Sequence, residues 1–314
     1  MSDVRAEHLA TRGAAGLFDF SFMGLYEFDD AASLQPLQSR DLARLAPGRI
    51  AYTLLLEADG AVFNDATVWR LETGRWWLFS GRRSDAAWIA ARAATRERSG
   101  EHTVLALQGP ASGAILARLL GEDLVRSLRY FGFAAFSAPA GSGLVGRIGY
   151  SGELGYEIVM PAAAEPAMRR ALAEAGAASG LRDCSFDAAN SLRIESGYVL
   201  FDREITGRER PEELGLERLL ESRAPRPAEP THRLVGLEID ATAGAPRARP
   251  WLPAARVTSE SESPLLGRRL ALGFVAAGDA RPGTRVALPD GRRACVARLP
   301  FYDPMRARPR ARPF

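Results

Sequence analysis

Lysine is absent from this sequence of 314 residues, and all 41 of its Lys or Arg positions are arginine. A lysine amine is needed to hold pyridoxal phosphate as a Schiff base, so that class of enzyme is excluded. Cysteine is nearly absent too: Cys184 and Cys295 stand far apart, outside any CxxC pattern, and the three histidines are scattered. The sequence therefore predicts buried or idle thiols in a reducing compartment, the cytoplasm, and no metal site.

Long apolar runs and a one-sided charge are also missing. No stretch approaches the roughly 18 uninterrupted apolar residues of a transmembrane helix, and residues 1–13 have acids and no apolar core of a secretory signal. The sequence has 41 basic and 38 acidic residues, so a surface of mixed charge is expected. Such a surface predicts neither a nucleic-acid nor a membrane partner. The C-terminal MRARPRARPF (305–314) is expected to be a solvated tail rather than a phosphate site.

The hydrophobic content of 46% suffices for one large core or a few smaller ones. Asp59-Gly60 and Thr73-Gly74 separate three apolar runs, which is typical of β-hairpins. The predicted strands are 17–28, 50–57, 61–70, 76–80, 103–107, 144–147, 156–160, 233–240, 254–259, 271–275 and 285–288. The predicted helices are 1–16, 29–45, 84–98, 111–120, 164–175 and 185–196. Short strands broken by Gly and Pro after residue 232 indicate a small all-β domain.

The segment GRIGYSGELGYEIVMP (146–161) is the most distinctive stretch of the chain. Its glycines surround Tyr150, Ser151 and Glu153, so the backbone can turn tightly and approach a flat ligand closely. A decorated hairpin is the alternative interpretation. A dinucleotide fingerprint is excluded, because no GxGxxG opens a helix here.

This segment resembles the GRTGYTGExGYEI signature of the glycine-cleavage T-protein (aminomethyltransferase) family. Other segments resemble motifs of the same family in the same order along almost the whole chain. They are AGLFDFSFMG (15–24), YTLLLEADGAVFNDATV (52–68), LALQGPAS (105–112), SLRIESGYVLFDREIT (191–206), VTSESESPLLGRRLALGFV (257–275) and PFYDP (300–304). Ten matched positions in one signature and this shared order make chance an inadequate explanation.

The resemblance implies an α+β fold: a three-lobed cloverleaf that binds tetrahydrofolate, with a C-terminal small β-barrel domain. The expected folate-binding region is 1–222, with one lobe of about 1–46 plus 137–222 and another of about 47–136. Residues 221–232, ESRAPRPAEPTH, carry three prolines and no apolar run, so a linker is expected at 223–232, before a barrel at 233–314.

Two acids carry the expected chemistry. Glu195 matches the position that we take as the family's pterin-binding glutamate, and a carboxylate can accept both neighbouring N–H donors of a pterin's 2-amino-4-oxo edge. A surface glutamate paired with an arginine is the alternative. Asp65 matches an aspartate beside the reactive folate nitrogens and is the expected catalytic residue. Asn64 replaces the aspartate that precedes it in the family, which removes a charge that would raise the pKa of Asp65.

Five further residues are expected to contact the cofactor: Tyr52, Tyr150, Met23, Asn64 and Arg193. Tyr52 and Tyr150 match family tyrosines near the folate, and Met23 matches an apolar contact. Aromatic and thioether groups suit the faces of a flat heterocycle, although ordinary core packing explains each residue alone equally well. Arg193 is expected to serve as an ion-pair or glutamate-tail arginine rather than as a catalytic group.

The sequence also departs from the family. Phe22 stands where the family has a histidine, and Ala189 and Asn190 stand where Arg and Asp are usual. The form AxNSLRIE is closer to the folate domains of dimethylglycine and sarcosine dehydrogenases. A FIGREAL stretch expected before the barrel is replaced by the proline-rich linker. These differences weaken the expectation of docking to a lipoyl-bearing carrier protein.

Three functions follow from the resemblance. The first is a tetrahydrofolate-dependent one-carbon transferase or demethylase that takes a methyl or methylene group from a small N-, O- or S-substituted donor, with a partner protein as another possible source. The second is the glycine-cleavage T-protein itself. The third is a folate-binding scaffold or regulator without turnover. The cysteine of the family's iron–sulfur assembly branch has no counterpart in 196–205, which disfavours that form of the third function.

Overall fold

The computed structural model describes residues 3–72, 74–221, 229–240 and 255–314. Within these ranges the chain forms α-helices and strands that we number in chain order. The helices are α1 (Val4–Gly13), α2 (Ala31–Leu34), α3 (Ala86–Ala90), α4 (Ser112–Leu120), α5 (Glu122–Ser127), α6 (Glu165–Gly176) and α7 (Phe186–Glu195). The strands are β1 (Ala15–Asp19), β2 (Gly24–Phe28), β3 (Arg49–Leu56), β4 (Val62–Arg70), β5 (Trp76–Ser80), β6 (Arg96–Glu97), β7 (His102–Gln108), β8 (Phe133–Ala138), β9 (Gly141–Gly146), β10 (Gly155–Pro161), β11 (Leu181–Asp183), β12 (His232–Ile239), β13 (Arg256–Ser263), β14 (Arg268–Ala276), β15 (Arg285–Ala287) and β16 (Arg293–Ala297).

The first sheet has six strands in the order β11-β1-β7-β10-β9-β8 and is antiparallel except for the parallel pair β1–β11. One face carries α4 and α6 over an aliphatic core that includes Leu107, Ile115, Ile158 and Leu172. The opposite face is buried as well, so β10 is hydrophobic on both sides (Gly155–Met160 are all buried). Because both faces of this strand are buried, its sequence is an almost continuous apolar run.

The second sheet has five strands in the order β3-β4-β5-β2-β6. Its long β3–β4 hairpin turns at Asp59-Gly60, where Gly60 has a φ of +86° that favours glycine. The third sheet, in the order β13-β14-β12-β16-β15, forms the C-terminal domain around its own small core. Three separate sheets agree with the expectation of three lobes.

The first two sheets meet α7 at a shared apolar core, which we call the junction core. Its buried members are Phe18, Phe20, Leu25, Ile50, Trp69, Phe79, Val104, Ala106, Ile148, Val159, Ala188, Ala189 and Leu192. Ser185 is the N-cap of α7: its hydroxyl accepts from Ala188 N and donates to the Glu7 carboxylate of α1. The helix thus fixes the N-terminal helix, both sheets and, through contacts with β13, the C-terminal domain.

The sheets divide the chain differently from the expected lobes. β2 belongs to the second sheet although it falls before residue 46, and β7 belongs to the first sheet although it falls within 47–136. The predicted strand 17–28 is wrong as one unit, since it is two strands in two sheets joined by a turn at 20–23. Most of the predicted helix 29–45 is also wrong: one helical turn, α2, is followed by short 3-10 turns.

Most other predicted elements are confirmed, among them the three strands at 50–80 and the helices at 111–120, 164–175 and 185–196. The predicted helix 84–98 is confirmed only at α3. Strands β6, β8, β11 and β16 and helix α5 were not predicted. Much of the expected linker, residues 223–228, and part of the predicted strand at 254–259 lie outside the described residues. The expectation of a solvated tail at 305–314 is wrong, because Arg147 donates to Ala311 O and Pro309 is buried. In the described ranges no helix is long and apolar enough to cross a membrane.

Candidate active site

Asp65 lies on β4 and is held by the two predicted neighbours in its sheet. The Tyr52 hydroxyl on β3 donates to Asp65 Oδ2 over 2.9 Å, and Asp65 N donates to Asn64 Oδ1 over 2.9 Å. Burial raises the pKa of Asp65 to about 6; the Tyr52 hydrogen bond opposes this rise, while the charges of Asp85 and Glu204 add to it. Asp65 can therefore gain or lose a proton near neutral pH.

The Asn64 side chain accepts from the Asp65 backbone through its Oδ1 and faces Asp85 with its amide nitrogen. It is fully buried, and its Nδ2 donates to Asp85 Oδ2 over 2.6 Å, while Arg82 Nε donates to the other oxygen of Asp85 over 2.8 Å. An aspartate at position 64 would place two carboxylates in contact without water. The amide avoids that repulsion, so Asn64 supports the backbone beside Asp65 through Asp85.

Tyr150 and Met23 both pack against the junction core. The Tyr150 hydroxyl donates to Val199 O, and its ring stacks on Tyr198 with centroids 5.9 Å apart. Met23 follows the turn that separates β1 from β2 and is half-buried. The structure thus places an aromatic ring and a thioether against one apolar core. Contact of these two groups with a flat ligand stays a prediction.

Arg193 is occupied by internal partners. Its Nη1 lies 2.7 Å from Glu204 Oε2 with both side chains fully buried, and its Nη2 donates to Ser259 Oγ over 2.6 Å. Glu204 in turn accepts from Thr258 and Ser259 on β13. This ion pair connects α7 to the barrel domain and leaves Arg193 little freedom to bind a cofactor, which disfavours that part of the prediction.

Glu195 is likewise fully engaged. Oε1 lies 3.1 Å from His8 Nε2 and accepts from the Ser263 hydroxyl, while Oε2 accepts from Arg12 Nε and Nη2 at 3.0 and 2.8 Å. Burial alone would raise the pKa of Glu195, but the His8 hydrogen bond and the Arg12 charge hold it below its ordinary value. A carboxylate with both oxygens paired has no evident capacity for a bidentate ligand. Its contacts favour the ion-pair alternative over direct pterin binding.

Glu157 is a further candidate site residue that the sequence prediction did not include. It lies on β10 opposite Ala106 and Gly146, on the same strand face as Val159, and so faces the junction core. The side chain is only 8% exposed, and its carboxylate has no hydrogen-bond or ion-pair partner among the residues that the structure describes. Burial raises the pKa of Glu157 to about 7. The sequence signal that could have identified Glu157 is the presence of a charged residue inside the apolar run 156–160.

The predicted residues therefore separate into two groups. Asp65 and Tyr52, together with Met23 and Tyr150, lie on the two sheets and the core between them, while Asn64, Arg193 and Glu195 are held in supporting networks. Two surface cavities, of about 290 and 330 Å³, lie near Tyr26 and near Phe301 and are lined by none of the predicted residues. In the ranges that the structure describes, no three or more His, Cys, Asp or Glu side chains are grouped to hold a metal ion.

Comparison with known proteins covers most of the chain. The family model for the GCVT N-terminal domain matches residues 1–223, and the model for the glycine cleavage T-protein C-terminal barrel domain matches residues 232–303. An aminomethyltransferase of Symbiobacterium thermophilum is 34% identical over 96% of this chain and 90% of its own length; one of Streptomyces avermitilis is 32% identical over 95% and 89%.

A solved structure gives the same result. The glycine cleavage system aminomethyltransferase T from Bartonella henselae superposes with a TM-score of 0.78 at 26% identity, covering 96% of this chain and 90% of that one. An α+β protein with a T-protein-like folate region and a C-terminal barrel is the class that these likenesses define. The chain belongs to the glycine-cleavage T-protein family. The resemblance and the fold class inferred from the sequence are both confirmed.

Proposed function

We propose that this chain is an aminomethyltransferase that moves a one-carbon unit onto tetrahydrofolate, with Glu157 and Asp65 as its two working carboxylates. The single observation that carries the proposal is the environment of these acids: burial raises both pKa values, to about 7 and about 6. Raised carboxyl pKa values in a partly apolar setting are characteristic of functional sites. Members of this family are tetrahydrofolate-dependent transferases, and the chain is an enzyme of that type.

The residues present fit a reduced folate. Glu157 is a buried acceptor without a partner in the part of the chain that the structure describes. A pterin's 2-amino-4-oxo edge offers the adjacent N–H donors that would satisfy it. We therefore assign the pterin to Glu157 rather than to Glu195, whose oxygens are already paired. Tyr150 and Met23 supply apolar contacts for the ring faces. Glu195 then acts as a positioning residue that fixes α1, α7 and the barrel.

Asp65 is proposed as the catalytic carboxylate. Tetrahydrofolate supplies the nitrogens that accept the one-carbon unit. Tyr52 binds Asp65 Oδ2 and leaves Oδ1 free of side-chain partners among the described residues, so one oxygen can accept a proton or face developing positive charge. The Tyr52 bond also fixes the plane of the carboxylate, which confines its free oxygen to one direction.

For the one-carbon donor, the comparisons favour the second function inferred from the sequence, that of the glycine-cleavage T-protein itself. The relatives described above are named aminomethyltransferases, and one belongs to a glycine cleavage system, so we propose an aminomethyl donor presented by a partner protein. A small N-methylated donor is the second candidate. It is favoured by the half-exposed rings of Phe22 and Phe186, whose centroids lie 5.2 Å apart where the family has a histidine at position 22.

One experiment tests the function and separates the donors. Purified protein is mixed with tetrahydrofolate and either an aminomethyl-loaded lipoyl carrier protein or a panel of N-, O- and S-methyl compounds, and the folate is analysed by mass spectrometry. A one-carbon folate product from the carrier supports the proposal, and a product from a small donor alone supports the second candidate. Folate binding without product from any donor would leave the scaffold hypothesis as the better account.

A further inference from the structure

Asp65 lies where β4 continues beyond the end of its neighbour β5. The register between the two strands ends at the pair Ala66–Ser80, so on this side Asp65 has no strand residue opposite it. Its backbone N–H donates instead to a side chain, Asn64 Oδ1, over 2.9 Å. Backbone donors inside a protein need a partner, and here the partner is not part of the sheet. The support of Asp65 on this side therefore comes from side chains.

These side chains are Asn64, Asp85 and Arg82, which we call the Asp85 network. Asn64 Nδ2 donates to Asp85 Oδ2 over 2.6 Å, and Arg82 Nε donates to Asp85 Oδ1 over 2.8 Å. Both Asn64 and Asp85 are fully buried. Because an ionised carboxylate only accepts hydrogen bonds, the Asn64 amide can face Asp85 only with its nitrogen. Its oxygen is thereby left for the backbone of Asp65.

The outer end of the network is anchored to the loop that follows α7. Arg82 also donates to Asp202 in that loop, and its Cζ lies 5.9 and 5.8 Å from the ring centroids of Phe63 and Phe201. The side chain of Asp202 is 66% exposed, whereas that of Asp85 is 1% exposed. The network thus extends from the surface to Asp65, and Asp85 is its buried acid.

Asp85 is distinguished from the other groups that act on Asp65. In the described part of the chain, the titratable groups that interact with Asp65 from neighbouring elements are Tyr52, Tyr150, Asp85 and Glu204. The charges of Asp85 and Glu204 both raise the pKa of Asp65. Glu204, however, is paired with the buried Arg193, and its described hydrogen bonds lead to α7 and β13. Asp85 is the acid that is connected to Asp65 by hydrogen bonds.

We propose that Asp85 is a positioning residue for the reaction: by orienting the Asn64 amide, it fixes the backbone of Asp65 and the direction of the free Oδ1 of that carboxylate. This inference rests on the proposed function, in which Asp65 is the catalytic carboxylate. Asp85 acts through Asn64 and is not assigned a contact with folate. Its loss should therefore reduce kcat and leave folate binding nearly unchanged, because a displacement of about 1 Å can cost about 10²-fold in rate.

The test uses two variants, in the second of which the acid and the amide exchange places. Asp85→Asn offers one oxygen where Asn64 and Arg82 need two, so a bond of the network is lost. In Asn64→Asp/Asp85→Asn the carboxylate accepts from Asp65 N and from the new amide, whose oxygen accepts from Arg82. At pH 8 we expect kcat of the single variant to fall about 10- to 100-fold with KM for tetrahydrofolate within about twofold, and the double variant to recover to within about threefold of native.

The proton affinity of Asp65 is a second readout that does not need turnover. Carbon-13 NMR of aspartate carboxyls follows it in the protein without folate, and the Asp65 signal is assigned by its loss in Asp65→Asn. Its midpoint should move to lower pH in Asp85→Asn, which removes a neighbouring negative charge, and above the native value in the double variant, where that charge stands next to Asp65. Asp123→Asn, at an exposed position on α5 without a described partner, is the matched control and should change neither kcat nor the midpoint.

The outcomes separate this inference from the proposed function. Native kcat in Asp85→Asn, or a double variant no more active than the single one, overturns the positioning role. If Asp85→Asn does not fold, the double variant decides: near-native kcat with a raised midpoint supports the inference, and any other combination overturns it. Absence of product from the native protein with every donor removes the proposed function. The NMR midpoints still decide the coupling of Asp85 to Asp65 in that case, since unchanged midpoints overturn it and the expected shifts support it.

Discussion

Asp65 and Glu157 show how differently carboxylates behave within one fold. Both have raised pKa values because burial disfavours their charged forms, whereas Glu195, equally buried, has a lowered one because His8 and Arg12 compensate its charge. The sequence pattern is the same for all three, an acid in an apolar setting. The partners supplied by distant segments decide which acid is available to a ligand.

Replacing Glu157 by glutamine tests the assignment of the pterin. Glu157→Gln keeps the size of the side chain but loses the charge, so we expect tetrahydrofolate to bind more weakly by about 1.5–3 kcal/mol, the scale for a hydrogen bond to a charged group. Titration calorimetry at pH 8, where the native carboxyl is ionised, measures the difference.

Glu195→Gln is the matched control for that substitution. Because Glu195 neutralises Arg12 within a buried network, its replacement should lower the free energy of unfolding by several kcal/mol, on the order of 3–5. Folate affinity of the folded protein should change by less than about threefold. The reverse pattern, with strong loss of affinity only in Glu195→Gln, would restore the original assignment of the pterin to Glu195.

Glu157 also predicts a pH dependence of stability without folate. Its folded pKa of about 7 exceeds the ordinary glutamate value of 4.5, so the folded state binds the proton more tightly and stability falls as pH rises through this window. At about 1.4 kcal/mol for each pH unit the loss is on the order of 3 kcal/mol. Urea unfolding from pH 4.5 to 7.5 should show the loss in the native protein and not in Glu157→Gln. Parallel profiles for the two proteins would contradict the prediction.

Asp65 predicts the pH dependence of the reaction. If its ionised form is required, kcat/KM should rise as pH increases through about 6 and then level off. Asp65→Asn should reduce kcat by about 10²- to 10⁴-fold and remove that limb of the profile. Tyr52→Phe should shift the limb upward, since the Tyr52 hydrogen bond lowers the pKa of Asp65. If the kcat/KM profile of Asp65→Asn still rises at the same pH, a group other than Asp65 is responsible for that rise.

Among the elements, α7 carries the most connections, and the Arg193–Glu204 ion pair is its buried link to the barrel. Arg193→Met should lower the free energy of unfolding by about 3–5 kcal/mol, because Glu204 is left charged and unpaired. The double change Arg193→Met/Glu204→Met should recover part of this loss. Chemical unfolding of both variants checks the prediction, and a double variant less stable than the single one would contradict it.

The helices and strands that were predicted correctly are those whose ends are marked by turn or cap residues close in sequence. The β3–β4 hairpin has a glycine turn and α7 has a Ser185 cap, so each is specified by residues close in sequence. The segment 17–28 was misread because its apolar residues continue through the turn at 20–23, while its two halves pair with β7 and β5 in different sheets. Pairing partners 48 to 92 residues away leave little trace in the local sequence pattern.

At the scale of the molecule, the C-terminal segment 301–314 packs against α4 through its last residues. A Cβ on Gly113 would lie 2.5 Å from Pro313 O, so Gly113→Ala should displace the end of the segment while alanine itself favours the helix. We expect faster tryptic cleavage at the arginines of 306–312, with the melting temperature nearly unchanged. Gly100→Ala, where nothing lies within 4 Å of the added Cβ, is the control. Equal cleavage of both variants would show that the segment is held elsewhere.

The family, the α+β class and the barrel follow from the amino-acid sequence alone, because they depend on motifs and on turn and cap residues that are close in the chain. The pairing of each acid depends on the tertiary structure. Glu195 is engaged by His8 and Arg12, while Glu157 has no partner among the described residues; we therefore propose the pterin role for Glu157, because availability to a ligand depends on partners from remote segments. The same reason applies to the arginine-rich end of the chain: its composition suggests solvent, but contacts with Glu195 and Arg147 place it on the protein.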